Sequence, residues 1–123
     1  MNIPEAKQTI LAMLAEKLDL TPDRTIFADR IPPGVRDAAA VAVEGIRAWH
    51  PDGAVECDVL IRGVSECETG LFSRLEALRD LLLCDRASGV LSWQLREPVK
   101  LRMIPGGNAD LHEFQMPLTV SFV

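Results

Sequence analysis

The chain has little of what catalysis and metal binding usually require. Its 123 residues include only two histidines, His50 and His112, and neither stands in a His-x-x-x-His or other ligand spacing. Each reads as a surface or turn residue, and His112-Glu113 has no second histidine to make a zinc-protease helix. The three cysteines, Cys57, Cys67 and Cys84, form no Cys-x-x-Cys pair. An odd count at irregular spacing is a poor disulfide framework and points to reduced thiols in a cytoplasmic compartment. No basic segment leads into an apolar core at the amino terminus, and no window approaches the eighteen or so apolar residues of a membrane span. The expectation is a protein with neither a classical secretion signal nor a place in the bilayer. Positive charge is also scarce: 13 Lys+Arg against 18 Asp+Glu give a formal charge of −5, which disfavours nucleic-acid phosphate as the main ligand. No repeat or low-complexity segment is present.

What is present is patterned for folding. Hydrophobic residues make up 48% and charged residues 25%, so the chain lies outside the compositional range of disorder, and its length suits one domain, 1–123. The clearest unit runs from Ala54 to Leu83. Val55, Cys57, Val59 and Ile61 alternate with Glu56, Asp58 and Arg62, the period of a half-buried strand. Gly63 is expected to break that strand, and Ser65 with Glu68 reads as a capping box. Leu71, Phe72, Leu75, Leu78 and Leu82 then give a helix one apolar face.

Upstream, Pro4 suits a first helical turn, and Ile3, Ala6, Ile10, Leu11, Leu14 and Leu18 stripe a helix that ends before Pro22. Thr25 to Phe27 is a short β-prone piece. Ile31-Pro32-Pro33-Gly34 must be irregular and is expected to form a projecting arm. Residues 38–46 read as a strand through Val41 and Val43, although their alanines also permit helix, and the Pro51-Asp52-Gly53 turn pairs them with the next strand as a hairpin. Downstream, a polar connection at Asp85 to Gly89 precedes short strands at Val90 to Leu95 and Val99 to Ile104, separated at Pro98. Pro105-Gly106-Gly107-Asn108 is a hairpin turn, lacking the spacing of a phosphate loop.

Leu111 to Val123 carries the longest alternation, with Phe114, Met116, Leu118, Val120 and Phe122 on one side. Pro117 cannot donate to a ladder, which implies an edge or a bulge. Because Met116 to Val123 holds no charge, an open edge there would invite a second copy to pair; the alternative is that a loop of the same chain covers it. The predicted fold is α+β, a mainly antiparallel sheet with two helices packed on one face.

Candidate chemistry is thin. Cys57 reads as a small hydrophobe among valines, and Cys67, in the first turn of the second helix, has no nearby histidine and is opposed by Glu66 and Glu68. Arg30 and Arg36 bracket the proline arm, while Arg96, Lys100 and Arg102 form either a basic stripe for an acidic partner or DNA, or a solvated strand face. Trp49 and Trp93 each read as an interface anchor or as a partly buried core or rim residue, the second being the preferred reading. No residue carries a catalytic, cofactor or metal role.

The order of elements, with the segments ADRIPPG, VECDVLIRG, SECETGLFSRLEALRDLLL and HEFQMPLTVSFV, resembles the tail terminator or tail completion proteins of long-tailed phages and related minor capsid proteins. In that group a strand ending in Arg-Gly leads through a polar turn into a helix ending in Leu-Leu, the places held here by Arg62, Gly63, Leu81 and Leu82. The alanine-rich region around Ala38 to Ala42 is shorter than the usual pattern. The resemblance implies a structural virion protein of the tail or neck, assembled in the host cytoplasm. It would form a hexameric ring that caps the tail tube, ends polymerisation and joins the head through a connector protein. It implies no membrane and no specific nucleic-acid partner. Expected contacts are Ile31, Pro32 and Pro33 in the arm and Phe114, Met116 and Phe122 in the last strand. The competing class is a dimeric ligand-binding or regulatory α+β domain; an enzyme using Cys67 or His112 ranks last.

Overall fold

The computed structural model describes residues 1–84 and 91–123. The polar connection expected at Asp85 to Gly89, and Val90, lie outside the described residues. Helix α1 spans Ile3–Lys17, opened by Asn2, whose Oδ1 accepts from the Glu5 amide at 2.8 Å. It closes in a Schellman turn: Asp19 takes φ 53°, and Leu20 donates back to Ala15 at 2.9 Å. Ala6, Ile10 and Leu14 of the expected stripe are buried, with Ile3, Leu11 and Leu18 packed at the margin.

Six strands follow in one sheet. β1 (Ile26–Ala28) pairs parallel with β2 (Ala38–Trp49), and β2 turns through Pro51-Asp52-Gly53 into antiparallel β3 (Val55–Ser65). The hairpin and the strand reading of residues 38–46 are therefore correct, and β2 runs on to Trp49. Helix α2 spans Glu68–Cys84; β4 (Ser92–Leu95), β5 (Lys100–Ile104) and β6 (Leu111–Phe122) complete the sheet. Its order is β1-β2-β3-β6-β4, and β5 continues the line of β4 along β6.

Two local expectations are corrected. Gly63 does not end its strand. It stays in register opposite Phe114, and the strand continues to Ser65. A glycine is required there because a Cβ would fall 2.6 Å from Cζ of the Phe114 ring and closer still to Cε1. Ser65 does not cap α2 either. Its Oγ accepts from the Cys67 amide at 3.1 Å, and Cys67 is the cap, its sulfur accepting from Gly70 and its carbonyl from Leu71.

The larger correction concerns β6. Both of its sides are occupied, by β3 along its length and by β4 and β5 on the other flank. An uncharged alternating strand suits the middle of a sheet as well as an edge, and here the same chain covers it. Pro117 is tolerated because β4 and β5 are interrupted beside it, while its carbonyl accepts from Arg96 at 3.0 Å.

One face of the sheet carries both helices. Ladder partners share a face, so Val41, Ile61 and Met116 form one row and Val59 and Leu118 another, all buried beneath Ile10, Leu14, Leu71 and Leu78. Leu81, not Phe72, completes the inward stripe of α2.

Candidate docking surface

The helix-bearing face is wider than the two helices that cover it. Beyond α2 the sheet extends through β4 and β5, whose side chains on this face are Trp93, Leu95, Leu101 and Met103 by register with β6. Leu95, Leu101 and Met103 are each more than half exposed, and Phe72 on the outer flank of α2 is 41% exposed. Phe72, Leu75 and Leu82 form one wall of a groove of about 610 Å³; Trp93, Leu95 and Leu101 form the other, and Met116 lies beneath. Arg79 and Gln94 are the polar residues on its rim.

A second uncovered surface lies at the opposite edge. β1 pairs only with Ala39 to Val41, so β2 beyond Val41 has no outer neighbour among the described residues. Bulges at Glu44 and Arg47 interrupt the ladder there, and Ile46 and Trp49 stay on the helix face opposite Cys57 and Val55. Trp49 is 68% exposed, which corrects its reading as a partly buried residue. Met1 and Val123, also exposed, join at this end, the terminal ammonium donating to the Val123 carbonyl at 3.1 Å.

The residues expected to make contacts divide into two groups. Phe114, Met116 and Phe122 are buried, so in the folded chain they are core and not a surface. Their strand sits at the centre of the sheet, which is the physical reason the expectation misplaced them. Ile31 and Pro32 are half-buried, and Pro33 is exposed in a turn closed by Val35 donating to Pro32, with Gly34 at φ 86°. The segment is pinned rather than free. Lys7 pairs with Asp29 before it; after it, Arg36 pairs with Glu66 and donates to the Ala109 carbonyl at 2.8 Å, and Asp37 meets Arg74 at 2.9 Å.

The other face of the sheet is polar. Arg96 reaches Glu44, Asp58 and Glu97 at 3.4 to 3.7 Å, and Arg47 grips Asp58 at 2.9 Å. Glu113 is 1% exposed between Arg62, Arg102 at 3.1 Å and the Gln115 amide at 3.1 Å. Burial alone would raise its carboxyl, but the hydrogen bond and charge of Arg62, aided by Gln115 and Arg102, hold it below the usual carboxylate range. Two of the three cations of the supposed basic stripe are thus committed to carboxylates.

The remaining chemical candidates stay apart. His50 contacts Glu56 at 3.2 Å and His112 approaches Glu68 at 3.7 Å. Cys57 is buried, and desolvation with the neighbouring Asp58 charge pushes its thiol up; Cys67 is exposed at the start of α2. Among the described residues no three His, Cys, Asp or Glu side chains group as a metal site would need, and no helix is long and apolar enough to cross a membrane.

Sequence reasoning missed the groove, and it held Trp49 as an interface anchor only in its second reading. The available signal was that Leu95, Leu101, Met103 and Trp49 continue the apolar alternation past the width two helices can cover. Comparison with protein-family models and with curated proteins gave no match.

Proposed function

We propose that the chain is a structural subunit whose work is association with further copies of itself and with other proteins. More particularly, it is a tail terminator of a long-tailed phage or prophage, closing as a ring, a hexamer by the resemblance, on the end of the tail tube. There it ends tube polymerisation and offers its outer surface to the head-tail connector. The observation that carries the reading is the pair of uncovered apolar surfaces at opposite edges of one sheet. Unlike surfaces at opposite edges join copies head to tail, and such contacts close into rings when the rotation allows. The order of elements supports the same reading, as does the polar face, whose arginines are largely paired with carboxylates and so leave little free cation for nucleic acid. On this reading the protein works in the tail or neck of the virion, is assembled in host cytoplasm, and performs no catalysis. The direct test adds the purified protein to polymerising tail-tube subunits. Shortened tubes with a ring of extra density at one end support the reading; unchanged length distributions and bare ends overturn it.

The groove favours one second reading, a dimeric domain that holds an apolar ligand between α2 and the sheet, since a concave apolar wall with a few polar rim groups is the usual form of such sites. A strict dimer whose Tm rises with an apolar metabolite would establish it.

A further inference from the structure

The occupant of the groove can be argued from the geometry of the opposite edge. Ile46, Cys57, Val120 and Trp93 are successive ladder partners, so one row of the sheet begins at the exposed β2 edge and ends beside the groove. From β2 to β4 every pairing is antiparallel, which makes β2 and β4 run in opposite directions. A second copy in the same orientation can therefore set its β2 beside β4 and β5 without reversing the alternation of the sheet. Both edges lack a neighbour at these positions among the described residues.

Charge selects the same pairing. The edge strand Lys100–Ile104 carries Lys100 and Arg102 and no acid. The segment 44–53 carries Glu44, Arg47 and Asp52; Arg96 holds Glu44, Asp58 holds Arg47 and Glu113 holds Arg102, so among the described residues the charges left to meet a second copy are Lys100 at one edge and Asp52 at the other. Groove against groove would oppose like cations, and patch against patch would oppose like acids.

We infer that the groove is filled by a second copy of this chain bound head to tail, with Ile46 and Trp49 of one copy seated between α2 and the β4–β5 edge of the next. The bulges at Glu44 and Arg47 interrupt the β2 backbone, so the contact is made by side chains more than by a continuous ladder. The inference rests on the ring reading for closure and on the surface alone for contact.

The test uses two surface variants, Trp49→Arg and Leu101→Arg, each checked by circular dichroism and Tm. If either loses its cooperative transition, Ile46→Glu and Leu95→Lys replace the pair. The expected result is that each variant alone is monomeric at concentrations where the native chain associates. Their equimolar mixture forms a one-to-one dimer and nothing larger, because one intact patch meets one intact groove. A variant that associates like the native chain, a mixture that stays monomeric, or a native chain that is monomeric at every concentration overturns the inference. A dimer from the mixture with no effect of the native chain on tail-tube growth would keep the contact and discard the tail reading.

Discussion

Replacing Gly63 by alanine puts a methyl group where the Phe114 ring already lies. The Cβ would stand 2.6 Å from Cζ and 3.0 Å from Cδ1, well inside contact distance. Phe114 is 0% exposed and cannot swing into solvent, so the strain must be taken up by the ring, by β3 or by the helices above. Overpacking of this kind costs about 1–3 kcal/mol. For a domain of this length that lowers Tm by about 4–12 °C. Chemical denaturation should show the midpoint falling with little change in slope. The cause can be isolated with Phe114→Leu, which shortens the intruding ring and by itself costs about 1–2 kcal/mol. In that background Gly63→Ala should become nearly neutral, a coupling of about 1–3 kcal/mol in the double-mutant cycle. An alanine tolerated in the native background, or equally damaging in both, would refute the close approach of ring and glycine.

Three further outcomes follow from the side chains described. Because the Glu113 carboxyl is held low in the folded state, the unfolded chain binds its proton more readily. Its contribution is present above the unfolded value of about 4.3 and lost as pH falls through the folded value. Acid unfolding should therefore be less steep below about pH 4.5 in Glu113→Gln, which at pH 7 should cost about 1–2 kcal/mol, because Arg62 and Arg102 lose their shared counter-charge but both reach solvent. In a Cys84→Ala background, thiol titration of the folded protein should modify the exposed Cys67, a signal lost when Cys67→Ala is added, while the buried Cys57 reacts only on unfolding. Asn2→Ala, which removes the acceptor for the Glu5 amide, should lower stability by about 1 kcal/mol in urea titration.

The fold was readable where burial imposes a period. Val55 to Ile61 and the α1 stripe each bury one side, so their alternation reports the core directly; in the Leu111 to Phe122 run the apolar residues line the core, although Glu113, Pro117 and Thr119 on the other face are buried as well. Order along the sheet was not readable, because the same uncharged alternation serves a central strand and an open edge. What places β6 in the middle is its pairing with β4 and β5, segments of four and five residues whose mostly exposed side chains carry little signal of their own. Phe114, Met116 and Phe122 were misplaced for that reason. Gly63 was misread because a glycine opposite an aromatic ring and a glycine ending a strand look alike until the partner strand is known. The alternation of Leu101 and Met103 signals an uncovered face, but the groove itself is set by packing of α2 against a distant part of the chain, where Phe72 and Leu101 line its opposite walls.

The central claim is that copies of this chain join into a closed assembly. Light scattering across a wide concentration range, with electron micrographs of the largest species, tests it most directly. The account predicts that mass rises from that of the 13.5 kDa chain to a ring of about six copies with an open centre. One chain's mass at every concentration, or a dimer that grows no further, would contradict it.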